Sequence, residues 1–225
     1  MDDRKIALVT EAENGLAYRL AGILREKEYE VIIAAQTMAY NDLRTKDLKG
    51  MRLLEMDVTT TSGITQLYAY IKTVYGKLDV LINNAEIANG FGQKLTELDI
   101  TQVRKLYDRN FFSVLQLTQK LYPLLRKGHS SRIINSTSGL GNLSKMGNED
   151  FCYSNYKMTA YSTAKAALEM LTLLLSKEFE GTNITISSFD PIRLKNCTHN
   201  SVKLCSEVEH ELLELLETQT HFETI

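Results

Sequence analysis

Short, continuously apolar runs alternate along this chain with longer segments of helical periodicity, and very few folds accommodate that alternation. The runs are Lys5 to Thr10, Tyr29 to Ala34, Met51 to Met56, Val80 to Asn83, Arg132 to Ser136 and Ile184 to Phe189. None shows strict polar/apolar alternation, so each reads as a strand covered on both faces. Between them, Gly15 to Lys27, Ile64 to Tyr75, Asp99 to Lys127 and Thr159 to Phe179 carry apolar residues three and four apart. Leu204 to Leu216 reads as a closing amphipathic helix, and Thr218 to Ile225 as either a seventh strand or a tail. Right-handed crossovers between such units predict an α/β fold with a doubly wound parallel sheet in three layers, α/β/α. Its ligand crevice would lie beyond the C-terminal ends of the strands. Two prolines and the absence of a Ser/Gly-rich linker leave no boundary to draw, so a single domain over residues 1–225 is expected.

Composition narrows the function classes. A net charge of -2 without a basic cluster speaks against nucleic acid or an anionic membrane as partner. No stretch approaches the roughly 18 apolar residues of a membrane span. No basic start leads into a long apolar run, so a cytoplasmic protein is expected rather than a secreted one. Cys152, Cys197 and Cys205 cannot all pair and form no Cys-x-x-Cys, which fits reduced, incidental thiols. The four histidines lack ligand spacing, so no metal site is expected. The Asn-x-Ser/Thr triplets at Asn142 and Asn183 carry no meaning outside the secretory pathway.

Three Tyr-x-x-x-Lys pairs occur: Tyr68/Lys72, Tyr153/Lys157 and Tyr161/Lys165. The spacing alone is weak, and position decides between them. Tyr68 and Lys72 sit mid-helix before the fourth strand, where a solvated face is natural. Tyr153 and Lys157 lie in a polar, aromatic stretch. Tyr161 and Lys165 open an apolar helix one turn apart, on one face, after a strand that ends Asn135-Ser136-Thr137-Ser138-Gly139 at the crevice.

With Asn83-Asn84-Ala85, Asn110, Ser138, Tyr161-Ser162-Thr163-Ala164-Lys165 and Asp190-Pro191 in this order, the chain resembles the short-chain dehydrogenase/reductase family, with its Rossmann-type fold. Its carbonyl-reductase-like members are the most similar group. The resemblance covers most of residues 4–195 and implies that Asn110, Ser138, Tyr161 and Lys165 are catalytic. Tyr161 would donate a proton to a carbonyl oxygen as hydride arrives on carbon, and Lys165 would lower its pKa from near 10 and hold the nicotinamide ribose. Ser138 would hold the developing oxyanion, and Asn110 a water leading to solvent. The cofactor, NADP more than NAD by this analogy, would lie against Thr10, Asn14, Gly15, Leu16, Asp57, Val58, Asn84, Ala85, Tyr161, Lys165, Pro191 and Ile192. A small carbonyl or alcohol would be the substrate. Relatives pair through the two long helices, which implies a homodimer or homotetramer. The 23 residues from Ser138 to Tyr161 are long for the family, and such insertions leave some members monomeric.

The cofactor positions also depart from the pattern. Thr-Gly-x-x-x-Gly-x-Gly is here Thr10-Glu11-Ala12-Glu13-Asn14-Gly15-Leu16-Ala17, with Glu86 after Asn84-Ala85 and Ile192 after Pro191 where glycines are usual. A carboxylate about 5 Å from a phosphate charge costs roughly 3 kcal/mol at an effective dielectric of ~20, about two decades of affinity. Asn14 and Ala35-Gln36-Thr37 provide neither the basic residue that meets a 2′-phosphate nor the acid that meets an unmodified ribose. Two readings follow: a reductase of aldehydes or ketones, or a relative that keeps the fold, binds cofactor weakly and acts through protein contacts.

Overall fold

The computed structural model describes residues 4–10, 16–36, 51–190 and 210–217. Six strands form one parallel sheet: β1 (Lys5–Thr10), β2 (Tyr29–Ala35), β3 (Met51–Glu55), β4 (Val80–Asn83), β5 (Ser131–Ser136) and β6 (Ile184–Phe189). Their order is β3-β2-β1-β4-β5-β6, with parallel register throughout. The direction of winding reverses between β1 and β4, which opens a crevice beyond their C-terminal ends. The doubly wound α/β sheet expected from the apolar runs is what the chain forms.

Strand alternation builds two cores. Ile6, Leu8, Ile32, Leu81 and Ile133 face one side, under α2 (Thr61–Val74) and α4 (Ser113–Leu125). Ala7, Val9, Val31, Ile33 and Ile82 face the other, under α1 (Leu16–Glu26) and the helix over 210–217, whose Leu212 is fully buried. Neighbouring residues of one strand thus serve opposite layers, as a two-sided parallel sheet requires.

Helix boundaries differ from the periodicity where capping decides them. The helix expected from Ile64 begins at Thr61, because Thr60 accepts the Gly63 N–H at 3.1 Å and starts the turn earlier. The segment expected as one helix from Asp99 to Lys127 starts after Asp99, which caps Thr101 N–H at 2.8 Å. It then runs as α3 (Ile100–Tyr107), a π-helical stretch Asp108–Phe112, and α4, ending at Leu125. A π turn is defined by i→i+5 backbone hydrogen bonds, which residue type alone does not announce. The stretch after β5 contains a 3-10 turn, Gly139–Gly141, and α5 (Leu143–Met146) before α6 (Thr159–Glu178). Of the expected closing helix, 210–217 is helical and 204–209 fall outside the described residues, as does 218–225. Among the described residues, no helix is long and apolar enough to cross a membrane.

Candidate active site

The crevice is braced by polar residues before any ligand is considered. Thr10, at the end of β1, accepts the N–H groups of Asn84 and Ala85 at 3.0 Å each on its hydroxyl. The Asn84 amide donates to Thr10 O at 3.2 Å. These bonds bind the ends of β1 and β4 together across the switch point. Behind them, the Asn83 amide donates to Asn135 Oδ1 at 2.8 Å, and the Asn135 amide to Thr172 Oγ1 at 2.8 Å. This buried ladder ties β4 and β5 to α6. Each buried amide N–H left unpaired there would cost ~1–3 kcal/mol, so the ladder fixes position, while Asn83 Oδ1 keeps no partner.

Of the three tyrosine–lysine pairs, Tyr161/Lys165 alone meets at the crevice. Both are buried, at 2% and 1% exposure, on the first turns of α6. Lys165 Nζ donates to Ser136 O at 2.7 Å and lies 5.6 Å from the centre of the Tyr161 ring. Gly141 permits this approach: a Cβ there would come within 2.7 Å of backbone atoms of Lys165 and Ala166. Lys72 instead lies over the Tyr68 ring on α2. Tyr153 packs edge-on between Phe151 and Tyr156, and Lys157 O accepts the Gly92 N–H at 2.9 Å.

Glu86 changes the electrostatics of the pair. Its carboxylate forms an ion pair with Lys165 and accepts the Tyr161 hydroxyl at 3.3 Å through the same oxygen, Oε2. Its side chain is only 16% exposed. Tyr161 is consequently held far above the ordinary tyrosine range, first by burial and then by the Glu86 charge. A hydrogen bond with Ser138 acts in the opposite direction, and Asp190 adds to the rise. The sequence places an acid near the crevice at position 86, but its contact with Lys165 depends on the path of the loop after Ala85 and has no local signal.

Ser138 and Asn110 belong to two segments that both pack against α6. Ser138 caps the 3-10 turn, accepting Leu140 N–H at 3.3 Å, and is buried. Asn110 lies in the π stretch, which turns its amide onto one residue of the loop after β4. Its Oδ1 accepts Ile87 N–H at 2.9 Å and its Nδ2 donates to Ile87 O at 2.8 Å. The side chain expected to hold a water thus clamps the segment that carries Glu86. Asp190, the residue after β6, accepts Gly139 N–H at 2.6 Å, anchoring the Ser138 turn.

The expected cofactor positions divide. Val58, Asn84 and Ala85 are buried, and Asp57 opens the turn after β3. Asp57 accepts Thr59 N–H at 2.9 Å, the Thr59 hydroxyl at 2.6 Å and the Gln36 amide at 3.1 Å. Ala17 is fully buried between α1 and the sheet, so its methyl group is accommodated where a glycine is usual. Leu16 opens α1. Glu11, Glu13, Asn14, Gly15, Pro191 and Ile192 lie outside the described residues. A contact with no precursor in the sequence reading is Arg109, which donates to Gln36 Oε1 at 2.8 Å from the π stretch.

A parallel sheet whose switch-point crevice holds a buried tyrosine–lysine pair defines an α/β domain of the dinucleotide-binding class. The chain belongs to the short chain dehydrogenase family, whose model matches residues 5–204. A rhamnolipids biosynthesis 3-oxoacyl-[acyl-carrier-protein] reductase of Pseudomonas aeruginosa is 30% identical over 196 residues, 84% of this chain and 72% of the relative. A short-chain dehydrogenase of Penicillium roqueforti is 28% identical over 193 residues, 81% of this chain and 76% of the relative. Among solved structures, an NADPH-bound carbonyl reductase from chicken fatty liver superposes with a TM-score of 0.80 at 21% identity, over 96% of this chain and 92% of that one. The Pseudomonas aeruginosa RhlG/NADP complex does so at 0.77 and 25% identity, over 98% and 92%.

Proposed function

We propose that this protein reduces an aldehyde or ketone to an alcohol with NADPH, with Tyr161 as the proton donor. The observation that carries the reading is the juxtaposition of Tyr161, Lys165 and Ser138 at the crevice, buried and held by Ser136 O, Gly141 and the Asn135–Thr172 bond. The residues present fit a nicotinamide dinucleotide at the Lys165 end once Glu86 moves, because a buried ammonium can then donate to ribose hydroxyls instead of a carboxylate. The bound cofactor supplies hydride; the remaining chemistry belongs to side chains of this chain.

Tyr161 donates its phenolic proton to the carbonyl oxygen, and Lys165 then stabilises the phenolate. Ser138 donates to the same oxygen as charge develops. Glu86 competes for that proton, since its carboxylate accepts the Tyr161 hydroxyl in the structure. Turnover therefore requires Glu86 to turn away from the pair. The names of relatives support both cofactor and reaction: a 3-oxoacyl reductase at 30% identity and an NADP complex at 25% identity. Tyr161→Phe is expected to abolish NADPH-dependent reduction of a carbonyl panel while Tyr153→Phe retains it. Equal activity of Tyr161→Phe and the parent would sink this reading.

A second reading has its own observation. The Glu86–Lys165 ion pair satisfies the lysine internally and favours a relative that binds cofactor weakly and works through protein contacts. Absence of NADPH binding at millimolar concentration, in the parent and in Glu86→Gly alike, would decide for it. Exposed Met170 and Leu174 on α6 support pairing of two copies through the long helices. A sedimentation mass near 25.5 kDa would contradict such pairing.

A further inference from the structure

We infer that Arg109 is the cation that recognises the 2′-phosphate of NADPH, an inference that rests on the dinucleotide reading of the crevice. The end of β2 is where a dinucleotide fold senses the adenosine ribose: a carboxylate there accepts the free 2′-hydroxyl, and an arginine there accommodates a 2′-phosphate. Gln36 occupies that place and carries neither charge. The charge arrives from another element. Arg109, on the π stretch between α3 and α4, reaches 73 residues back along the sequence and donates through Nη1 to Gln36 Oε1 at 2.8 Å. Gln36 in turn donates to Asp57 Oδ2 at 3.1 Å, so the amide sits between guanidinium and carboxylate.

Two features mark Arg109 as poised for an anion. Among the described residues it has no carboxylate partner, in contrast to Arg4, Lys27, Arg52, Lys77 and Lys165, each of which has one. Its Nε is buried without a hydrogen-bond partner, a donor that solvent does not satisfy. A guanidinium with spare donors in a fixed fork suits a phosphate, whose oxygens accept two of them at once. Asp57, the acid bonded to Gln36, is also held by Thr59, which limits its repulsion of a phosphate. The cation missing from the sequence positions next to β2 is thus supplied in space.

The test uses fragments that lack nicotinamide and so never meet Glu86. Adenosine 2′,5′-bisphosphate and 5′-AMP are titrated calorimetrically into the full chain, into Arg109→Gln and into Arg109→Lys. The parent should bind the bisphosphate about tenfold or more tightly than AMP, as a charge-assisted phosphate contact implies. Arg109→Gln should lose that preference while keeping its AMP affinity, and Arg109→Lys should keep part of it. Gln36→Glu, which leaves Arg109 in place but gives it an internal carboxylate, should lose the preference as well. Equal binding of the two fragments by the parent overturns the inference, as does a preference that survives in Arg109→Gln, or no binding of either at millimolar concentration. The two readings fail separately. A fragment preference without NADPH oxidation leaves the adenosine site standing and removes the reductase; NADPH oxidation with indifference to Arg109 does the reverse.

Discussion

The two ends of the crevice solve opposite electrostatic problems. At the Tyr161 end, a buried lysine is matched by a half-buried carboxylate, Glu86, and the tyrosine shares that carboxylate's oxygen. At the Gln36 end, a guanidinium faces a neutral amide and keeps a buried donor unsatisfied. The first end is closed upon itself, and a ligand must displace a charge to enter. The second has, among the described residues, no carboxylate on its cation for a ligand to displace, and under the proposal an anion supplies that partner. A dinucleotide would therefore meet its obstruction, Glu86, and its proposed attraction, Arg109, at different places along its length.

The largest expected effect breaks the chemistry at the closed end. Loss of the Tyr161 hydroxyl in Tyr161→Phe removes the proton donor and should lower turnover by about a thousandfold or more, measured as NADPH oxidation. Next, Glu86→Gly releases Lys165 and should tighten NADPH by about tenfold to a hundredfold, while Glu86→Gln, which removes only the charge, should fall between it and the parent. Adenosine fragments should bind these Glu86 variants as they bind the parent, because the two ends are independent; a parallel gain would break the comparison.

A smaller effect concerns the wall behind Lys165. Gly141→Ala puts a methyl group into the backbone of α6 and should cost about 1–3 kcal/mol in chemical denaturation, with α6 displaced and activity lost together. The smallest is a pH effect. Tyr161, Tyr29 and Tyr75 all have folded pKa values raised above 10.0, so the native state holds their protons more tightly than the unfolded chain. That stability is fully present below about pH 10 and is lost as pH rises further. The unfolding midpoint should therefore fall more steeply above pH 10 in the parent than in Tyr161→Phe, where one of the three groups is gone.

Much of this was legible in the sequence because it is written in local pattern. Apolar runs such as Val80 to Asn83 located the strands, and the family resemblance pointed to Ser138, Tyr161 and Lys165, which the fold brings side by side. The glycine departures at Glu86 and Ala17 were visible, but their consequences were not. Ala17 packs into the core between α1 and the sheet, and Glu86 reaches Lys165 because its loop is clamped by Asn110 on Ile87. Both outcomes are set by contacts between residues distant in sequence. The π turn was invisible for a related reason: it is set by the backbone hydrogen-bond pattern rather than by local residue type, yet it carries both Arg109 and Asn110. Arg109 could not be found by searching beside β2, since its charge comes to that strand from the other half of the fold.

Direct titration of NADPH into the parent and into Glu86→Gly, followed by nicotinamide fluorescence, reaches the central claim that Glu86 stands between this crevice and its cofactor. The account predicts saturable binding in both, with a dissociation constant at least about tenfold lower in the variant. An unchanged dissociation constant would contradict it.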